Sequence, residues 1–147
     1  MPRIDASNLP LRLTAGAFIL NSGLNKWSAG EETATRTHGM AAGTYPFLKD
    51  VEATRFLKLL SAGEIGIGAA LLLPFVPAAV AGAGLTAFAG GLLGLYLRTP
   101  GMHENLRPTP QGNAIAKDVW LLGIGASLLL RKRSTSRAAQ KAAQKAP

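Results

Sequence analysis

Apolar residues fall in four long blocks, separated by stretches where Gly, Pro and charged residues collect. The clearest block, Val76 to Leu97, holds no charged residue. At about 1.5 Å per residue it is long enough for a hydrocarbon core of roughly 30 Å. The block before it, 53–74, reads ATRFLKLLSAGEIGIGAALLLP; its second half is apolar, and Glu64 stands near its middle. The joint Pro74-Phe75-Val76-Pro77 cannot continue a helix and turns the chain back, which predicts a tight helical hairpin.

The first block runs over 10–27, with Asn8 as the expected N-cap and Pro10 in the first turn. Only Leu13 to Asn25 separates Arg12 from Lys26, about 20 Å of helix, so both cations must reach toward the interfaces for this block to span. Trp27 suits an aromatic belt. The fourth block covers 111–130. Its uncharged part, Val119 to Leu130, is shorter than a span, so Lys117 and Asp118 enter the outer bilayer or the helix stops short. The pattern predicts an all-α integral membrane protein: a segment 1–9, a four-transmembrane-helix bundle over 10–130 and a basic tail over 131–147. Asn21, Asn25 and Lys26 interrupt a signal-peptide reading, and Trp27-Ser28-Ala29 is a poor cleavage site, so the first block is expected to be retained.

Composition supports this class. Of the 147 residues, 48% are hydrophobic and 16% charged, against the roughly 25% charged of soluble domains. The net charge of +8 would suggest nucleic acid in a soluble chain. Here Arg131, Lys132, Arg133, Arg137, Lys141 and Lys145 crowd the tail with no acid among them. That places the C-terminus, and with four spans the N-terminus, in the cytoplasm of a multi-pass inner-membrane protein. Lipid head groups explain the charge without nucleic acid, and Arg12, Arg131, Lys132 and Arg133 are the expected lipid and topology residues. The 28–52 loop reads as loop or short surface helix, with Tyr45-Pro46-Phe47-Leu48 lying on the outer face. The 99–113 loop reads as irregular.

With no cysteine, disulfides, thiol redox chemistry and Cys-held clusters are excluded. His38 and His103 read as solvated loop residues, and Met102-His103-Glu104 is too short a constellation for copper or zinc. No phosphate loop, GxSxG or HExxH occurs. No catalytic, cofactor-binding or metal-ligating residue is assigned, and no catalytic activity is expected of the chain by itself.

The polar residues inside the blocks carry the site hypothesis. Thr14, Asn21 and Asn25 share one helical face; Ser61, Glu64 and Gly68 share another. Ionisable groups at such depth cost roughly 2.5–3.5 kcal/mol each and tend to be paired inside the bundle. Asn21, Asn25, Lys26, Glu64, Lys117 and Asp118 are expected to form one interior network opening outward, with Lys117 as the partner of Glu64. It reads either as a structural ion pair or as a pocket for a quinone head group, a small anion or a proton. Two small-residue ladders mark the third block: Gly82, Thr86, Gly90 and Gly94, and beside them Ala79, Ala83, Ala87 and Gly91. Such spacing lets helix backbones approach closely. The first ladder is the candidate docking face for a partner subunit, with internal packing as the alternative.

Three motifs in order resemble the DoxX-like family of small four-helix membrane proteins. They are Leu11-Arg12-Leu13 followed by Phe18 through Trp27, Gly63-Glu64-Ile65-Gly66-Ile67-Gly68 running into Leu71-Leu72, and Ala116-Lys117-Asp118-Val119-Trp120. The resemblance implies membrane redox or respiratory assemblies. Family members are described as small subunits of a terminal quinol oxidase or of a thiosulfate:quinone oxidoreductase. Actinobacterial members are linked to complexes with superoxide dismutase and a sulfurtransferase, and the Ala/Gly-rich composition here is similar to theirs. The long 28–52 loop and the basic tail depart from the shortest family pattern.

The expected function is therefore a non-catalytic accessory subunit of a membrane respiratory or oxidoreductase complex, partnered by lipids and larger membrane subunits. The alternative is a small oligomeric transporter or a quinone- or lipid-binding membrane protein built on Glu64, Lys117 and Asp118.

Overall fold

The computed structural model describes the backbone of residues 6–144, with side chains for 7–130 and for 143 and 144. The side chains of Arg131, Lys132 and Arg133, expected to set topology, lie outside the described residues, as do residues 1–5 and 145–147. The protein is all-α. Its helices are α1 (Leu9–Trp27), α2 (Glu31–Thr44), α3 (Ala53–Leu72), α4 (Ala78–Arg98), α5 (Asn113–Ala116) and α6 (Val119–Ala143). The loop after α4 holds a two-residue antiparallel ladder, β1 (His103–Glu104) with β2 (Arg107–Pro108), closed over Asn105 and Leu106.

All four apolar blocks form helix. The fourth is broken at Lys117-Asp118, so the α6 helix stops short of both charges, and it then runs through the position expected to begin a separate tail as far as Ala143. Among the described residues, helix α4 and the segment Asn113–Leu130 are long and apolar enough to cross a membrane; α1 and α3, with their charged and polar residues, do not reach that mark.

Helices α1 and α3 pack antiparallel as the most closely joined pair. On α3 the buried positions are Leu57, Ser61, Glu64, Gly68 and Leu71, a seven-residue alternation of the kind that makes a helix–helix seam. The facing residues of α1 are Arg12, Ala15, Gly16, Ile19 and Gly23. Backbones touch here: a Cβ at Gly68 would stand 2.6 Å from the Leu20 backbone nitrogen, so only glycine allows this crossing. This packing selects which face of α1 turns inward. It is the small-residue face, and Thr14, Asn21 and Asn25 are left exposed on the other side.

The second pair is α4 with α6. Gly82 meets the Gly125 carbonyl and Leu128, and Gly125 meets Thr86; a Cβ at either glycine would come within 2.8 Å of a neighbour. Ile19, Leu71, Leu85, Ala89, Leu121 and Leu128 then join the two pairs in one core.

Helix ends are closed by side chains from the neighbouring helix. Arg12 is buried and spends its guanidinium on the C-terminal end of α3. Nε donates to the Leu71 carbonyl at 2.7 Å, Nη1 to Val76 at 3.0 Å, and Nη2 to Ala70 at 3.0 Å and Leu73 at 2.7 Å. This corrects the expectation of a lipid phosphate or carboxylate partner. The last carbonyls of a helix have no intrahelical donor and carry its negative dipole end, and a planar five-donor cation answers both. At the opposite end, Lys58 Nζ donates to the Trp27 carbonyl and lies 4.6 Å from the Trp27 ring centre, while Ser61 Oγ donates to the Gly23 carbonyl at 2.6 Å. Asn8 occupies the cap position of α1 without making a side-chain capping bond. Glu52 caps α3, accepting from the Thr54 and Arg55 backbone N–H groups at 3.0 Å each, and those bonds hold its carboxyl below the ordinary range.

Arg12→Met removes the side-chain donor of four carbonyls; the Leu71 bond is buried, the other three are part-buried, and Leu73 keeps the Val76 N–H at 3.2 Å. At about 1–3 kcal/mol for a buried group left unsatisfied, it lowers stability by about 2–3 kcal/mol. Arg12→Lys keeps the charge but loses the fork, and falls between the two. Thermal unfolding of the purified protein in mild detergent checks the order; a lysine variant as stable as wild type would show that charge alone closes the helix end.

Candidate functional site

A cavity of about 480 Å³ lies where α1, α2, α3, α4 and the α5–α6 break meet. Its walls are largely apolar: Phe18 and Ile19 from α1, Met40 and Ala41 from α2, Phe56 and Leu60 from α3, Phe88 and Leu92 from α4, Ile115 and Leu121 from the fourth block. Its polar groups are Ser22, Lys26, Thr37, Tyr45, Glu64 and Asp118. The volume falls within the roughly 300–1,000 Å³ of small-molecule pockets, and the mix of apolar wall and few polar groups is typical of them.

Helix α2 makes the cavity possible. The stretch expected as loop or short surface helix is a 14-residue helix that buries only Ala34, Ala41 and Ala42. Such small residues bring α2 onto α3 and α4 without filling the space between. It is held at its far end by Tyr45, whose hydroxyl donates to the Gly91 carbonyl at 2.8 Å, and by Thr44 Oγ1 against Thr99 Oγ1 at 3.0 Å. His38, expected as solvated, is half-buried, with Nε2 2.8 Å from the Leu48 carbonyl and its ring edge-on to Phe56. His103, also expected as solvated, packs its ring on Tyr96, with Nε2 3.2 Å from the Leu97 carbonyl.

The charged end of the cavity is organised by Lys26. Nζ lies 2.6 Å from Ser22 Oγ and 3.0 Å from each oxygen of Glu64. The Glu64 side chain is 4% exposed and that of Lys26 28%. An ionised carboxylate at that depth needs a close cation, and this is the ion pair that the described residues provide. Asp118 faces the same space from the α5–α6 break, close enough for Lys26 and Glu64 to act on it electrostatically with opposite signs.

Of the six residues expected in one network, Lys26, Glu64 and Asp118 therefore come together. Lys117 does not pair with Glu64. The break in the fourth helix leaves it exposed while its neighbour Asp118 lines the cavity. Asn21 and Asn25 are exposed on the outward face of α1. The docking ladder is also redistributed: α6 covers Gly82 and Thr86, Tyr45 sits on Gly94, and a Cβ at Gly90 meets nothing within 4 Å. Its closest positions are thus consumed by internal packing. The adjoining ladder contributes Ala87 and Gly91 to the cavity wall. Ser22, Thr37 and Tyr45 were not anticipated. Ser22 is one helical turn before Lys26, a spacing that could have signalled it; Thr37 and Tyr45 reach the site only through the tertiary placement of α2.

Among the described residues no group of three His, Cys, Asp or Glu could hold a metal ion. Comparison with protein families, with curated proteins and with solved structures gives no match.

The pairing of Lys26 with Glu64 has a direct thermodynamic signature. Lys26→Met and Glu64→Gln each lower stability, the first by about 3 kcal/mol because it leaves a buried carboxylate unpaired, the second by about 1–3 kcal/mol because it leaves a half-buried ammonium without its counter-charge. The double variant recovers about 1 kcal/mol or more of the summed loss. Strictly additive effects in detergent unfolding would mean that the two are not partners.

Proposed function

We propose that the protein is a four-span membrane protein that holds a small amphipathic molecule in the cavity between its helices. The carrying observation is the cavity itself, lined mostly by apolar side chains, with the charged groups of Lys26, Glu64 and Asp118 among its few polar ones. The four-span reading is supported by large apolar side chains exposed on all four long helices, among them Leu13, Phe18 and Leu24 of α1, Leu59 of α3, Val80 and Leu97 of α4, and Val119 and Leu130 of α6. In water these would be an unusual exposure; in lipid they are the expected outer surface. Most of the charges on α1 and α3 are answered from within: Arg12 by carbonyls, Lys26 by Glu64, and Lys58 by the Trp27 carbonyl and ring. A quinone or a lipid is the ligand class that the DoxX-like resemblance suggests, and of the residues in those motifs Glu64 and Asp118 line the cavity.

A second reading, an accessory subunit of a membrane redox complex in the inner membrane, is favoured by one observation. Asn21 and Asn25 stand exposed on one face of α1, and side-chain amides facing lipid promote association with a partner helix.

The absence of cysteine makes the topology directly testable. With both termini cytoplasmic, Glu104→Cys is labelled by an impermeant maleimide added to intact cells, and Phe75→Cys only after permeabilisation. Labelling of both from the same side would overturn the four-span reading.

The cavity is tested by filling it. Gly91 is in the cavity lining and a Cβ there meets nothing within 4 Å, so Gly91→Leu adds bulk at the wall without displacing backbone. Solvent extraction and mass spectrometry of wild type are expected to release an amphipathic molecule in near-stoichiometric amount. Gly91→Leu, unfolding at the same temperature, is expected to carry several-fold less. Identical bulk-lipid profiles in both would overturn the binding reading.

A further inference from the structure

The charge in the cavity is not balanced. Lys26 contributes one positive charge, and Glu64 and Asp118 contribute two carboxylates. The three protons of Lys26 Nζ match three acceptors, Ser22 Oγ and both oxygens of Glu64. Among the described residues no donor is hydrogen-bonded to the Asp118 carboxylate and no cation is within ion-pair distance of it. Lys117, next to it in sequence, is exposed and does not line the space. The Lys26–Glu64 pair is neutral as a unit, which leaves Asp118 as the uncompensated charge.

The lining it shares includes four aromatic side chains. Phe18, Tyr45, Phe56 and Phe88 reach the cavity from four separate parts of the chain. Aromatic faces carry negative quadrupoles and attract cations, most strongly where water is scarce. The half-buried Asp118 carboxylate gains from meeting a positive charge. Both features act in the same direction: they repel anionic head groups, leave Asp118 unanswered by a neutral ligand and suit a cation on an apolar body.

We propose that the ligand of this cavity is a lipophilic organic cation, an amine or onium group carried on apolar arms, with its charge at Asp118 and its body among the four aromatic rings. The proposal rests on the binding reading above and narrows its ligand from amphipathic molecules in general to one charge class.

The test compares two ions of nearly the same shape and opposite charge, tetraphenylphosphonium and tetraphenylborate. Binding to the full-length protein in nanodiscs of zwitterionic lipid is measured by equilibrium dialysis, with empty nanodiscs subtracted. The expected result is saturable binding of the phosphonium, at least about tenfold tighter than the borate. Asp118→Asn removes most of that preference, and Gly91→Leu removes saturable binding. Equal affinities for the two ions, a preference that survives in Asp118→Asn, or no saturable phosphonium binding would each overturn the proposal. The underlying reading is judged separately: it falls only if wild type releases no amphipathic molecule beyond what Gly91→Leu releases.

Discussion

The end of a helix leaves carbonyls without an intrahelical donor, and the Arg12 guanidinium is how this chain answers them. The joint between α3 and α4 presents the carbonyls of Ala70, Leu71, Leu73 and Val76, and Arg12 donates to all four from the start of α1. The cation therefore fixes where α3 stops, how sharply α4 turns back and where α1 lies against both. The arrangement is reciprocal: Lys58, near the start of α3, donates to the last carbonyl of α1. Two antiparallel helices each lend a cation to the other's negative end. This sets the register that brings Gly16 and Gly23 onto α3, Gly68 onto α1, and Lys26 onto Glu64.

That register is what makes the pocket. Lys26 projects inward because α1 turns its glycine face to α3. Asp118 faces the same space because the fourth block breaks one residue before α6 begins. Helix α2 closes the side with alanine rather than with bulk. A larger residue at the α2 contact would either fill the cavity or push the helix away. The space is therefore a consequence of small residues at crossings and of cations spent at helix ends.

Much of this was legible in the sequence. The four blocks, the Pro74–Pro77 joint and the Ser61–Glu64–Gly68 face follow from apolar run length, proline chemistry and helical periodicity, all of which are local. The inward face of α1 was not legible in the same way. Polarity alone points to Thr14, Asn21 and Asn25, but close approach selects Gly16 and Gly23, and only the partner helix decides between the two faces. The same holds for Lys117. A continuous helix could have turned it toward Glu64; the break at 117–118 separates it from Asp118, and Lys26 takes the partnership.

Asp118 stands apart from the other ionisable groups. Arg12 closes a helix end, Lys58 closes another, Lys26 and Glu64 neutralise each other, and Glu52 caps α3. Each would leave a defect if removed. Asp118 accepts no hydrogen bond from the described side chains, but it stands immediately before α6, and its backbone carbonyl accepts from the Leu121 N–H at 3.0 Å. A carboxylate there favours the positive end of the helix. An asparagine could cap the same position without a charge. What asparagine could not supply is an anion in a pocket that has aromatic side chains in its lining, and that is the property the proposed cation would use.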